Sequence, residues 1–231
     1  MAFFNEENLP NPGKAYVCFL DIMGMQNKMK RSVSQSANYM FKLHATILSA
    51  WRTSGYENIS VYPIMDGAYI VSPQKENLMK LLTNIMQSLT EDLLAAKFSY
   101  WFLVRGAISF GEVIHGRDIP YNASLEFSSR VGYKEQLLIG PAMIDAYKGE
   151  HNAAPMGIYI CESAFQRLRG IPQNWKWQGN PKIKIKVEMS KFQKKLKEYY
   201  TDWLTKDDNG DGYDDERRLK HFEQIRCYFD F

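Results

Sequence analysis

The stretch Tyr16-Val-Cys-Phe-Leu-Asp21-Ile-Met-Gly-Met25 constrains this chain more than any other. Apolar residues run straight into a carboxylate, and a small residue and a helix-like segment follow. A short apolar run of this kind reads as a buried central strand. A buried aspartate costs several kcal/mol unless something cationic offsets it. Asp21 is therefore expected at the strand's end, with its charge turned into a crevice at the carboxyl edge. The amides of Ile22 to Met25 would then open a helix, and helix N-termini favour phosphate oxygens. The combination points to a carboxylate for a metal beside a backbone cradle, Met23, Gly24 and Met25, for a phosphate. The same Asp-x-x-Gly spacing also serves as a plain turn or N-cap.

Composition sets the bounds. With 231 residues, 45% hydrophobic and 24% charged, the chain is expected to be globular, as one large domain or a domain with an appendage. A net charge of +3 is too small to argue for nucleic acid or a membrane surface. Cys18, Cys161 and Cys227 are scattered, and two sit in apolar contexts, which suits reduced thiols in a cytoplasmic protein. The first residues lack a basic region followed by an apolar core, and no run is long enough for a membrane span.

Residues 1–13 end in Pro10-Asn-Pro-Gly13 and read as a leader outside the core. Met40, Leu43, Ile47 and Trp51 form a helical stripe that Gly55 ends. Ile59 to Met65 and Ala68 to Val71 read as strands joined at Met65-Asp66-Gly67, a hairpin signal that suggests a type I′ turn. Leu78, Leu82, Ile85, Leu89 and Leu93 mark a second helix. Phe102 to Ile108 and Glu112 to His115 read as a strand pair around Phe110-Gly111. This order predicts an α+β fold with a ferredoxin-like βαββαβ core and extra strands. The core is expected over 14–170, with a C-terminal strand and helices of 171–231 packed on it. Residues 118–138 read as a surface segment, Pro141 to Glu150 as a short helix, Met156 to Cys161 as a strand, and Glu162 to Arg169 as a helix stopped by Gly170. Lys182-Ile-Lys-Ile-Lys-Val187 alternates like a lysine-guarded edge strand, and Phe192, Leu196, Tyr199 and Trp203 mark a last helix.

Asp66 is the partner that gives Asp21 chemical meaning. In a βαββαβ core the first strand and the hairpin lie side by side, so the strand's end and the hairpin tip meet. Two carboxylates there can share hard divalent cations, and Mg²⁺ or Mn²⁺ bridged to triphosphate oxygens is the usual use.

These residues resemble the class III nucleotidyl cyclase catalytic domain. Phe19-Leu-Asp21-Ile-Met-Gly24 is similar to that family's first metal motif and Ile64-Met-Asp66-Gly-Ala-Tyr69 to its second. The segment Arg105 to Gly116 resembles the strand pair after the second helix, and Ile139 to Glu150 the helix that normally carries an asparagine and an arginine. The resemblance spans roughly residues 14–161. It implies that Asp21 and Asp66 bind two Mn²⁺ or Mg²⁺ ions, that Ile22 adds a backbone carbonyl, and that active sites form in a head-to-tail homodimer.

The departures are informative too. Lys148 stands where the family arginine meets the transition-state phosphate, and Ile144 replaces the ribose-orienting asparagine. Lysine supplies a point charge without the bidentate fork, so Arg105 or Arg130 is a further candidate for that role. Tyr62 occupies the position of a purine-reading lysine, and Leu137 falls near the other base-specifying position. Short cyclases of this type without a sensor domain look like the pyrimidine cyclases of bacterial anti-phage (Pycsar) defence. That resemblance implies UTP as substrate, with CTP the alternative, and cyclic UMP acting on a downstream effector. A degenerate cyclase fold that binds nucleotide without turnover is the rival. No direct nucleic-acid contact is expected.

Weaker signals are assigned no chemistry. Asp207 to Asp215 resembles an EF-hand loop, but Arg218 stands where the bidentate glutamate belongs, so a solvated acidic turn is the expectation. His44, His115, His151 and His221 share no ligand spacing. Trp175 and Trp177 are expected to pack beneath a surface loop rather than to stack on a base.

Overall fold

The computed structural model describes residues 8–120, 123, 129–205 and 215–230, without the side chains of 202–205. The apolar run forms β1, Gly13–Ile22, so the strand begins within the expected leader. Its alternate residues serve two cores. Tyr16, Cys18, Leu20 and Ile22 enter a large cluster under the long helices, while Ala15, Val17 and Phe19 enter a smaller one on the opposite face. Burial on both faces is why no polar residue interrupts the run.

After β1 come α1, Met25–Arg31, and α2, Val33–Ser54, separated by Ser32, whose hydroxyl accepts from the Gln35 amide. Gly55 ends α2 at φ 64°, a left-handed conformation that costs glycine little. Next are β2, Ser60–Ile64, β3, Gly67–Ser72, and α3, Lys75–Ala95. Leu78, Leu81, Leu82, Ile85, Met86, Leu89 and Leu93 of α3 are all buried. Each such side chain contributes about 1.5–3 kcal/mol on burial.

The sheet order is β2-β3-β1-β4-β6-β7, with β5, Leu138–Ile139, pairing with the end of β4. β4 spans Val104–His115, β6 Ile158–Ile160 and β7 Asn174–Trp175. The antiparallel run β2-β3-β1-β4 is the βαββαβ order read from the sequence, with β6 added in parallel to β4. Pro63 sits on β2, an edge strand, where a missing N–H is tolerated. Trp175, Phe192, Leu196, Tyr199, Ile225 and Tyr228 join the large core, so residues beyond 171 help build it.

Several expectations are corrected. Phe110-Gly111 is no turn, because β4 runs through it as one strand of 12 residues. The Pro141–Gly149 helix packs over this point, where a Cβ on Gly111 would meet Ala142 Cβ at 3.4 Å, an ordinary van der Waals contact. Lys182 to Val187 is no strand, because β7 pairs with β6 instead. The segment crosses α3, where Asn180 Nδ2 donates to Thr83 Oγ1 (2.9 Å) and the Lys186 amide to Gln87 Oε1 (3.4 Å). Its alternation records a buried Val187 and a half-buried Ile185 against exposed lysines. The helix at Glu162 ends at Phe165, and turns continue to Gly170. The hairpin loop is Met65-Asp66 with positive φ only at Met65 (45°), the pattern of a type II′ turn rather than I′. Most of the Asp207–Asp215 loop lies outside the described residues.

Candidate active site

Register brings the site together. Asp21 lies opposite Gly67 of β3 on one side and Arg105 of β4 on the other. Directly opposed residues share a face. Asp66 precedes Gly67 at the hairpin tip. A Cβ on Gly67 would lie 2.5 Å from the Leu20 carbonyl and 3.1 Å from Asp21 Oδ1. Gly67 therefore lets the tip close on β1, a reason unrelated to turn conformation.

Asp21 and Asp66 are both half-buried. Burial is the main force pushing the Asp21 carboxyl up to about 7, and the charges of Asp66 and Glu150 add to it. Arg105 and a backbone hydrogen bond at Ile22 act in the other direction. Burial also raises Asp66. A carboxylate pair held in this way is short of positive charge.

Glu150 was not anticipated from the sequence. It is 2% exposed, receives a hydrogen bond from Arg105 Nε, and ends the buried side of the segment after Gly149. His151 Nδ1 lies 2.8 Å from both Arg105 Nη2 and Glu150 Oε2. Arg105 is thus held within its own chain beside Asp21. Nothing periodic marks Gly149-Glu150-His151, so no sequence signal could have found this pair.

The remaining candidates separate. The Met23 amide donates to the Leu103 carbonyl (2.8 Å), which removes it as a phosphate donor. The Met23, Met25 and Ile22 side chains belong to the large core. Gly24, at φ 72°, turns the chain into α1. Lys148 and Ile144 lie exposed on the Pro141–Gly149 helix, and Arg130 is exposed at the start of a short helical turn. Lys148 has no hydrogen bond or ion pair among the described residues.

Tyr62 shares the Asp21 face, one row back, through the pairs Tyr62–Tyr69 and Tyr69–Phe19. It is 5% exposed, and its hydroxyl shares a hydrogen bond with His115 Nδ1. Val113 closes over the same cluster from β4. Leu137 is half-buried, and its carbonyl accepts from the Gly116 amide (2.8 Å). Trp175 and Trp177 are buried, with Trp177 Nε1 donating to the Met156 carbonyl, which is the packing role expected.

Among the described residues, no three His, Cys, Asp or Glu side chains form a ready metal cage. Asp21 and Asp66 still fit a hard divalent ion. Mg²⁺ is commonly held by one or two carboxylates together with substrate phosphates and waters, and the raised Asp21 carboxyl would gain from a cation.

This architecture is the class III nucleotidyl cyclase catalytic fold. Similar solved structures include the guanylyl cyclase domain of the RhoGC fusion protein from the aquatic fungus Blastocladiella emersonii. That domain superimposes with a TM-score of 0.52 and 14% identity over 71% of this chain and 88% of its own. The adenylate/guanylate cyclase/hydrolase from Silicibacter pomeroyi gives 0.51 and 15% over 70% and 85%. A rhodopsin-guanylyl cyclase core with converted specificity, in complex with ATPalphaS, gives 0.50 and 15% over 69% and 83%. No family model matches the sequence, and no curated protein matches it. No helix among the described residues is long and apolar enough to cross a membrane.

Proposed function

We propose that this protein is a metal-dependent nucleotidyl cyclase that converts UTP to cyclic 3′,5′-UMP and pyrophosphate. The observation that carries the reading is Asp21 set against the Asp66 hairpin tip on a cyclase fold. Asp21, Asp66 and the Ile22 carbonyl hold the ions. When bound, Mn²⁺ or Mg²⁺ supplies positive charge against the triphosphate and acidifies the ribose 3′-hydroxyl. The chain's own part is positioning and exclusion of water. The backbone of Gly24 and Met25 meets the phosphates. The 3′-hydroxyl gives its proton to solvent, its oxygen bonds to the α-phosphorus, and the bond from that phosphorus to the α–β bridging oxygen breaks, so pyrophosphate leaves.

The transition-state cation comes from a second copy of the chain. Arg105 is already paired with Glu150, whereas Lys148 is exposed and has no ion pair among the described residues. A head-to-tail homodimer places Lys148 of one protomer over the carboxylates of the other. Tyr62 is packed into the small cluster with Phe19, Tyr69 and Val113, and its hydroxyl is taken by His115. The pyrimidine reading therefore rests on the missing purine-reading lysine at this position rather than on ring contact with the base. The product serves as a second messenger in antiviral defence and reaches a downstream effector.

The test incubates purified protein with each of the four ribonucleoside triphosphates and Mn²⁺ and identifies products by mass. UTP is expected to lead ATP and GTP by at least about tenfold in kcat/KM, or about 1.4 kcal/mol. A lead by CTP would move the assignment to cyclic CMP. Equal turnover of ATP and UTP would defeat the pyrimidine assignment. No product from any triphosphate would favour a nucleotide-binding module.

A further inference from the structure

A cavity of about 500 Å³ opens between the start of α3 and the loops on either side of β7. It is remote from the carboxylates. β3 begins with Gly67 beside Asp21 and ends at Ser72, about 17 Å away at ~3.4 Å per residue, and α3 starts just beyond. The cavity also borders the large core under α2 and α3, with Trp175 and Met79, whereas Asp21 lies on the face of β1 that carries the smaller cluster. Its floor is apolar, with Met79, Ile171 and the buried Trp175. Its rim carries Lys75, Lys80 and Lys182. None of these three ammonium groups has a hydrogen bond or ion pair among the described residues. A fourth lysine on the rim, Lys176, is neutralised by Asp230, and Glu76 is the one acid in the lining.

We propose that this cavity is a second binding site, for a small organic anion that joins a planar apolar ring system to a phosphate or sulfonate-like group. The volume falls within the 300–1,000 Å³ typical of ligand pockets. Burying a ring on Met79, Ile171 and Trp175 provides the affinity that area burial supplies. An anion among the three lysines gains charge-assisted hydrogen bonds. Lysine as a compact point charge suits a phosphate or sulfonate approached from several directions. The cavity uses Lys182 and the flanks of β7, so the segment beyond residue 170 supplies half of a site as well as core.

The probe is 8-anilinonaphthalene-1-sulfonate, titrated by fluorescence against the full chain, with neutral N-phenyl-1-naphthylamine as its counterpart. One sulfonate probe per chain is expected, weakening with added salt and binding at least tenfold tighter than the neutral probe. Lys75→Glu combined with Lys80→Glu is expected to weaken the sulfonate at least tenfold. Lys182→Glu, on an exposed loop, is expected to weaken it severalfold without disturbing the helix. Met79→Trp, which fills the floor, is expected to abolish both probes. Circular dichroism confirms that each variant is folded. Asp21→Asn is expected to bind the sulfonate as the wild type does, so this result stands apart from cyclase activity. Unchanged binding in the lysine variants, or equal affinity for the neutral probe, overturns the proposal.

Discussion

Asp21 shows what one residue does for both stability and chemistry. Its carboxyl is raised to about 7, chiefly by burial. The folded chain therefore binds more protons than the unfolded chain between about pH 4 and pH 7. Stability contributed by the protonated form is present below about pH 4 and is lost as pH rises through 7. Asp21→Asn is accordingly expected to raise the metal-free melting temperature at pH 8, with the gain vanishing near pH 4. Turnover should be abolished in Asp21→Asn and in Asp66→Asn at either pH. Thermal melts in EDTA at both pH values, alongside product assays, check this; activity surviving in either variant removes the metal-carboxylate reading. Glu150 makes a second case. It is 2% exposed against Arg105 at 13%, and removing one partner of such a pair leaves a poorly compensated charge. Glu150→Ala is expected to cost about 3–5 kcal/mol in urea unfolding. A loss below about 1 kcal/mol would mean that solvent replaces the carboxylate readily.

At the scale of elements, the site is a property of how β1 meets its neighbours. Of the glycines that flank the end of β1, Gly67 makes the closer approach, with a Cβ there 2.5 Å from the Leu20 carbonyl. Gly67→Ala is expected to push the β2–β3 hairpin away from β1. The cost should be about 1–3 kcal/mol, as for other overpacked sites. Because the displaced tip carries Asp66, kcat should fall more than the melting temperature alone would suggest. Denaturation and steady-state kinetics on one preparation separate the two effects. A variant with wild-type kcat would show that the tip tolerates the shift. Tyr62 is fixed at this scale as well, since strand pairing puts it on the Asp21 face and β4 brings His115 to its hydroxyl.

At the scale of the whole molecule, the proposed homodimer would take two half-sites from each chain. The carboxylates lie at the end of β1 and in the hairpin loop, while Lys148, on the Pro141–Gly149 helix, has no hydrogen bond or ion pair among the described residues. Mixing inactive Asp21→Asn with inactive Lys148→Ala is expected to restore roughly a quarter to a half of wild-type activity. The reason is that each heterodimer regains one intact interface. Sedimentation showing fully active monomer would contradict the assembly.

The sequence by itself determined the element order and the positions of the two carboxylates. Those features are written in local periodicity, in an apolar run that ends in a charge, and in one hairpin signal. Pairs distant in the chain were not legible. Arg105 and Glu150 stand 45 residues apart, and Tyr62 and His115 stand 53 apart. Nothing in either neighbourhood encodes a partner that folding alone supplies. The Lys182–Val187 alternation shows the converse. Its period of two reflects one buried side, which a loop lying on α3 satisfies as well as a strand does. Phe110-Gly111 looked like a turn because glycine is common at bends, yet the ladder between β1 and β4 carries straight through it, a pairing distant in the chain. Local pattern sets which face of each element is buried; the tertiary structure chooses what it is buried against.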